Sequence, residues 1–513
     1  MTHVLEFHLN INHFLKLLYK HRLLLAILLM IVVVGIYFRF INLFNFSAFF
    51  GDSGRDVLVA KHIATYKENF LVAPDANGGM GVLNNSPIYY WLIAIPWLIS
   101  GSEKGVILFF CLIGTSNIIL AFILSKQISN NKLALIFPYF VAISNVFIVF
   151  SKNVWQPHLL PFVQMISIIF LIKGIKNNKK FLFWSVQFSF FATHIHLSYL
   201  PLLFITVLFI GIYFLKIKKY KNFFKLLLLA FFNTILWLKL SKSLVSLNNR
   251  ESFELIINPF VSMSQFLIFV KNTYLNMQTM SESIFVGYFS KYLYFFILPI
   301  LLVFLKKIIQ GSFGVEKKIA WVIFTMLGSI FLLGSYFKPL HFHYLIPYYL
   351  LFWLCFSFII SKVNKNKYIV VIPLIVFATY HLSRGNNYLI ARKHISEIET
   401  NKIIADIILN KSHNPIIKVC LDDGFHCSNA DSFTGSIWYF LEEISGEKFV
   451  EIANVGNGNN LIPPTSVLEI EDNFIICAYS TKDCLADLGV EMSEVSILYS
   501  ENNISLSHYK STQ

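Results

Sequence analysis

Long apolar runs alternate with short polar or basic segments along most of this chain. A bilayer-spanning helix needs about 20 apolar residues, with a range of about 17 to 25. The runs that span or nearly span a bilayer are 23–43, 87–100, 105–125, 133–150, 159–173, 181–197, 199–215, 223–240, 289–305, 319–337, 344–361 and 368–382, with a weaker one at 254–275. The pattern predicts an α-helical polytopic membrane protein with about 11–13 transmembrane helices.

Two of these runs differ from the others in length or in their flanking charges. Run 23–43 is too long for a signal-peptide core and no small-residue cleavage site follows it, so we expect a retained first span. Run 87–100 is short, and if it crossed fully it would place the basic patch Lys126 to Lys132 outside. A re-entrant segment and a local failure of the charge rule both remain open for run 87–100.

Composition agrees with this prediction. The chain has 513 residues, of which 56% are hydrophobic and only 14% charged, and its mean hydropathy is +0.63. The net charge of +14 lies in Lys and Arg clusters between apolar runs, which is typical of cytoplasmic loops and not of nucleic-acid binding. The N-terminus is therefore expected in the cytoplasm, and loops 44–86, 241–288 and 338–343 outside.

The composition changes near residue 390, where charge rises and the apolar runs shorten. We expect a transmembrane domain over 1–385 and a small extracytoplasmic α/β domain over 390–513, interpreted as an accessory, acceptor-binding domain. The predicted helices are Lys393–Lys411 and Asp431–Ser445, and the predicted strands are Ile416–Leu421, Lys448–Ala453, Asn473–Tyr479 and Val495–Tyr499.

Six cysteines divide between the two regions. Cys111 and Cys355 lie in apolar runs and are interpreted as small buried residues. The four in the polar region are Cys420, Cys427, Cys477 and Cys484. They favour disulfides in an oxidising compartment over a zinc site, because neither pair has C-x-x-C spacing. The pairing stays open.

Outer loop 44–86 carries the most reactive short stretch, FFGDSGRDVLVAKHI, directly after the first apolar run. Its carboxylates are four residues apart and share a helix face. The charged side chains are Asp52, Arg55, Asp56, Lys61 and His62. Two interpretations are open: a site for an anionic substrate, or a solvated juxtamembrane helix whose charges only keep it out of lipid.

Further polar side chains fall at the outer ends of other runs. They are Trp155 in NVWQPH, His194 and His196 in ATHIHLSY, and Lys338, His341, His343 and Tyr344 in KPLHFHY. The H-x-H patterns permit metal ligation, but no carboxylate or cysteine lies close to them in sequence. Hydrogen bonding to phosphate, lipid headgroups or backbone is the favoured interpretation, with Lys338 as the expected cationic partner of a lipid-linked phosphate.

Four motifs, in this order, resemble the GT-C class of polytopic glycosyltransferases, which includes protein O-mannosyltransferases and bacterial lipid A aminoarabinose transferases. They are GDSGRD, NNSPIYYWLIAIP at 84–96, SKNVWQPHLLPF at 151–162 and HFHYLIPYY at 341–349. Together they cover about residues 23–360. The class typically has an Asp-Glu pair where this chain has Asp52-Ser53, so the second carboxylate here is Asp56.

The resemblance implies a hexosyl- or pentosyltransferase that moves a sugar from a polyprenyl phosphate to a lipid, glycan or protein on the outer face, with inversion. Asp52 matches the catalytic base, with Asp56 as the second acid. Arg55, Lys61, His62, Tyr89 and Tyr90 are expected to bind substrate. No metal is expected, although metal-dependent relatives exist in the wider class. A bacterial inner membrane is the expected location.

Two other functional classes remain as alternatives. A transporter or flippase of lipid-linked sugars would carry ionisable residues near the middle of its spans. A polysaccharide polymerase or ligase would carry a large outer loop late in the chain, whereas loop 338–343 is short.

Overall fold

The computed structural model describes the membrane region and parts of the C-terminal domain. The described residues are 11–47, 49, 52–68, 86–128, 131–241, 263–284, 302–303, 305–306, 310, 317–329, 342–362, 397–412, 416–420, 435–448, 451–452, 461–462, 472–477, 496–501 and 504–510.

The membrane region is helical. Its helices are α1 (Ile11–Phe40), α2 (Leu43–Phe46), α3 (Asp52–Thr65), α4 (Ile88–Ser100), α5 (Glu103–Ile128), α6 (Asn131–Ile143), α7 (Asn145–Lys152), α8 (Leu160–Lys176), α9 (Lys180–Ile195), α10 (Leu200–Lys216), α11 (Tyr220–Ser241), α12 (Met263–Ile284), α13 (Lys317–Gly328) and α14 (Ile346–Lys362). Among the described residues five segments are long and apolar enough to cross a membrane, in α1, α5, α8, α10 and α11. The protein is an integral membrane protein, as predicted.

Two predicted spans have a different form in the structure. Run 133–150 is not one straight helix, because α6 and α7 meet at Ser144 with a bend of 57°. Run 87–100 forms α4, whose 13 residues extend about 20 Å, less than the roughly 30 Å hydrocarbon core. Run 368–382 and most of run 289–305 lie outside the described residues, so the total of 11–13 stays a prediction.

Buried cations stabilise the break between α6 and α7. The last carbonyls of a helix have no intrahelical partners, and Arg39 of α1 donates to two of them, Val141 at 2.7 Å and Ala142 at 2.9 Å. Lys152, at the end of α7, donates in return to the carbonyl of Ile41 at 2.7 Å. The bent span and the first span are therefore fixed to each other just below the outer loop.

A small α/β domain follows the membrane helices, as predicted. It contains α15 (Glu397–Leu409), α16 (Gly435–Ser445) and strands β1 (Ile416–Cys420), β2 (Glu451–Ile452), β3 (Leu461–Ile462), β4 (Asp472–Cys477), β5 (Ser496–Glu501) and β6 (Ile504–Lys510). One sheet has the order β1-β4-β6-β5, with only the β1–β4 pair parallel, and β2 pairs with β3. Strands β3 and β6 were not predicted.

The cysteines follow the same division. Cys111 and Cys355 are buried and free. Cys420 stands opposite Cys477 in the register of β1 and β4. Cys427 and Cys484 lie outside the described residues, so the predicted disulfides stay predictions.

Candidate active site

Helix α3 begins at Asp52, shortly after the first span, and its acidic residues lie near its start. Asp52 is in the first turn, where a carboxylate is stabilised by the helix dipole. The hydroxyl of Ser53 donates to the carbonyl of Val154 at 2.7 Å. This bond ties α3 to the segment that follows the bent span, so the NVWQPH stretch lies beside the acidic turn.

Arg55 joins the two carboxylates of α3. Its Nη1 lies 2.8 Å from Oδ1 of Asp52, while Nη2 and Nε lie 2.8 and 3.1 Å from Oδ1 of Asp56. The Asp52 side chain is 40% exposed, the Arg55 side chain 10% and the Asp56 side chain 0%. One carboxylate is therefore open to a substrate and is oriented by a guanidinium anchored on a buried one.

The Asp56 carboxylate is also held by a hydrogen bond from outside α3. Tyr90 of α4 donates to its Oδ1 at 2.9 Å, and Gln156 donates to the Tyr90 hydroxyl at 3.1 Å. Its other oxygen, Oδ2, accepts no hydrogen bond from the described residues. Burial raises the pKa of Asp56 to about 6, although Arg55 and Tyr90 favour the charged form. Tyr89 packs edge-on against Tyr90 at 5.1 Å between ring centres.

A second cluster of rings begins in the same NVWQPH stretch. Trp155 packs edge-on against His158, with ring centres 5.4 Å apart. His158 is close enough to His196 for their imidazoles to interact electrostatically, and His196 lies 5.5 Å from the ring of Tyr344. The predicted residues Trp155, His196 and Tyr344 are thus brought together. His194 is buried two residues earlier, at the end of α9.

Lys61 and His62 instead contact the C-terminal domain. Nε2 of His62 lies 2.8 Å from Glu442 on α16, and its Nδ1 lies 3.2 Å from Glu68. Lys61 lies 3.6 Å from Glu442 and 3.5 Å from Glu443. We call these five residues the docking network. Its contacts give Lys61 and His62 a role in holding the domain on α3.

Lys61, His62 and Glu442 of the docking network are buried, and pairing and burial together shift the pKa values of some of its members. Burial alone would lower the pKa of His62, but the hydrogen bonds to Glu442 and Glu68 outweigh it and raise that pKa. Burial opposes ionisation of Glu68 as well, yet His62 and Lys448, whose Nζ is 2.5 Å away, lower its pKa to about 2. For Lys61, burial dominates and lowers the pKa. His62 is therefore predominantly a cation at acidic pH.

A further polar contact supports the same interface. Glu103, at the start of α5, accepts a hydrogen bond from the hydroxyl of Tyr439 at 3.1 Å, and its backbone N–H donates to that hydroxyl at 3.0 Å. Lys402 of α15 lies 3.4 Å from the same carboxylate. Both described helices of the C-terminal domain are therefore fixed to the membrane region by buried charge.

Some predicted site residues are not placed by the structure. Lys338 and His341 lie outside the described residues, and the side chain of His343 is likewise not described. Sequence reasoning also missed functional neighbours. Gln156 lies within the NVWQPH stretch that was singled out, but Glu442 carries no local signal of its partnership with α3.

The described residues contain no group of three or more His, Cys, Asp and Glu side chains arranged to hold a metal ion. His194 ends a helix while His196 is in extended backbone, where its Nδ1 bonds to Ser198 at 2.9 Å. The expectation that no metal is needed stays a prediction.

Comparison with known proteins gives a match in structure and not in sequence. No protein-family model matches the chain, and no curated protein matches it significantly. The crystal structure of ArnT from Cupriavidus metallidurans bound to undecaprenyl phosphate has a TM-score of 0.55 and 11% identity, covering 96% of this chain and 98% of that one. The apo form of that protein gives 0.54 and 12% over the same spans.

A second similar structure is the oligosaccharyltransferase AglB from Archaeoglobus fulgidus, in complex with an inhibitory peptide and a dolichol-phosphate. Its TM-score is 0.50 with 11% identity, covering 88% of this chain and 62% of that one. Both ArnT and AglB are GT-C glycosyltransferases. The chain therefore has the GT-C fold that the order of its motifs predicted.

Proposed function

We propose that this protein is a membrane glycosyltransferase that transfers a sugar from a polyprenyl-phosphate donor to an acceptor on the outer face. The observation that carries the proposal is the half-exposed Asp52 carboxylate, which Arg55 orients at 2.8 Å in a chain with the GT-C fold. The co-crystallised undecaprenyl phosphate and dolichol-phosphate of ArnT and AglB support a lipid-phosphate donor. The nature of the sugar and acceptor is left open.

In this proposal Asp52 is the general base. An acceptor hydroxyl bonds to the anomeric carbon of the sugar while the bond from that carbon to the phosphate oxygen breaks. The hydroxyl proton moves to Asp52, and the lipid phosphate leaves with the bonding electron pair. Attack from the side opposite the leaving group inverts the configuration. Asp52 suits the base because it is the more exposed acid of α3.

Asp56 has a supporting role in the same step. Its carboxylate is fully buried and receives Arg55 and Tyr90, so it reaches the acceptor only through those side chains. It fixes the guanidinium of Arg55, and Nη1 of that guanidinium orients Asp52. Preorganisation of this kind avoids reorganising charge during the reaction.

The leaving phosphate needs positive charge from elsewhere in the site. Arg55 already pairs with two carboxylates, so its charge is largely neutralised and only its remaining N–H groups can reach a donor phosphate. Lys338 is the proposed cation, and His194, His196, His341 and His343 are the proposed N–H donors to the phosphate. His194 and His196 are buried and therefore donate as neutral rings. Trp155 and Tyr344 supply ring surface for the sugar beside them.

Replacing the base tests the proposal. Purified protein in detergent would be incubated with undecaprenyl-phosphate hexoses and pentoses plus solubilised cell-envelope lipids, and release of undecaprenyl phosphate would be followed by mass spectrometry. Asp52→Asn should reduce release about 10²- to 10⁴-fold. The matched control is Asp406→Asn, the same change at an exposed position of α15.

Two results would overturn the assignment. Release at the wild-type rate by Asp52→Asn would remove Asp52 as the base. Proteoliposomes that move the intact donor across the membrane without cleaving it would identify a flippase instead.

A further inference from the structure

An open groove lies between α9 and α11 on the surface of the membrane region. Its volume is about 640 Å³. The lining residues are Lys180, Phe183, Trp184, Gln187, Phe188, Phe191, Lys225 and Leu229. On α9 these positions follow a spacing of three and four residues, so they form one stripe along the helix.

Cations lie at one end of the groove only. Helices α9 and α11 are joined by α10 through short connections, so both begin on the same side of the membrane. Lys180 begins α9, and Lys225 is in the first half of α11. Both side chains are exposed, and neither forms an ion pair with any described residue. The groove therefore has a cationic mouth and an aromatic interior.

From this mouth inward, the order of cationic, polar and apolar side chains matches the order of headgroup, ester groups and acyl chains in a phospholipid. Trp184 is 54% exposed one turn below Lys180, at the depth where tryptophan marks a membrane interface. Gln187 follows at the depth of ester carbonyls. Phe188 and Phe191 continue the stripe to about 16 Å from Lys180 along the helix axis, which is the region of acyl chains.

This groove is separate from the candidate active site. Lys180 begins α9 and His194 lies in its last turn, so the cationic mouth is about 20 Å along the helix from the imidazoles of the outer face. By the distribution of basic loops, the mouth faces the cytoplasm, where anionic headgroups attract basic residues.

We propose that the groove between α9 and α11 binds an anionic phospholipid of the cytoplasmic leaflet, with its phosphate at Lys180 and Lys225 and an acyl chain along Phe188 and Phe191. Charge complementarity selects this occupant, because two ammonium groups without an ion-pair partner among the described residues lie at the mouth and apolar rings line the interior. This site serves lipid attachment and does not depend on the proposed transferase activity.

Native mass spectrometry of the full-length protein with phosphatidylglycerol or phosphatidylcholine tests the site. The probe variant is Lys180→Ala/Lys225→Ala, and the control is Lys216→Ala/Lys221→Ala, which removes two exposed lysines on the same side outside the groove. The probe variant should lose about 30-fold in phosphatidylglycerol affinity, or about 2 kcal/mol at about 1 kcal/mol per lysine. The control should retain wild-type affinity.

A second readout locates the bound lipid. Phosphatidylglycerol with brominated acyl chains should quench part of the tryptophan fluorescence, and Trp184→Phe should abolish that part. The proposal is overturned by equal binding of both phospholipids, by an unchanged affinity in the probe variant, or by an equal loss in the control. Displacement of phosphatidylglycerol by equimolar undecaprenyl phosphate would also overturn it, since the groove would then prefer a donor-type lipid.

Discussion

The buried carboxylate of Asp56 should titrate close to neutral pH, and this can be measured without any substrate. Its pKa is raised from 3.8 to about 6 because burial disfavours the charge. The change corresponds to about 3 kcal/mol in favour of the protonated form. Asp56 should thus be about 90% protonated at pH 5 and about 10% at pH 7, whereas an ordinary aspartate is mostly ionised at both.

The sign of the effect on folding follows from the same value. A raised pKa in the folded state stabilises the protein below the unfolded pKa, and this contribution is lost as pH rises through about 6. Glu68 acts oppositely, since its lowered pKa stabilises the protein above the unfolded value and this contribution is lost as pH falls toward about 2. The pH dependence of the free energy of unfolding therefore combines the contributions of both carboxylates, and a site-specific probe is needed.

Infrared difference spectroscopy provides that probe, because the protonated carboxyl stretch is separate from the carboxylate bands. The difference between pH 5 and pH 7 should contain a carboxyl band that Asp56→Asn removes and Asp406→Asn keeps. Tyr90→Phe removes a hydrogen bond to the charged form, so the midpoint should move up by about one pH unit. The burial argument would be refuted if the difference spectrum of Asp56→Asn were the same as that of the wild type.

Three further outcomes are expected. Arg39→Leu deprives two helix-end carbonyls of their donor and should cost about 2–4 kcal/mol, lowering the thermal midpoint in detergent; an unchanged midpoint would contradict this role. Glu442→Gln should lower the raised pKa of His62, so that the contact with α16 weakens at a lower pH as the pH rises. Hydrogen exchange of α16 should therefore increase at a lower pH than in the wild type. Loss of protection at the same pH in both proteins would contradict the pairing. Gly114→Ala places a methyl group against α7 and should cost about 1–3 kcal/mol, whereas Gly328→Ala, with nothing within 4 Å, should be neutral; equal effects would contradict the close approach.

Local signals predicted the acidic helix well. The carboxylates of Asp52 and Asp56 were expected on one face, and Arg55 bridges them there. The bend at Ser144 was missed because an apolar run averages over a break, although Pro138 lay just before it. Backbone hydrogen bonding and the Arg39 contact decide that bend, and neither is encoded in hydropathy.

The roles of the basic residues of α3 could not be predicted from the sequence, because they depend on pairing with residues far along the chain. Lys61 and His62 are residue types expected in an anion-binding site, and nothing in the nearby sequence indicates that Glu442, 380 residues away, binds to His62. The domain architecture followed from composition, but the face on which α16 docks depends on which buried charges find partners. Residue type predicted the chemistry available, while tertiary contacts decided where it was used.

The docking network also orders the biogenesis of the protein. Lys61 and His62 emerge early in synthesis, whereas Glu442 is 380 residues further along the chain from His62 and emerges only after the described membrane helices. Until then Lys61 lacks Glu442 and Glu443, and His62 has only Glu68 as an acidic partner. The contacts that join α3 to α16 can therefore form only after the far end of the chain has been synthesised.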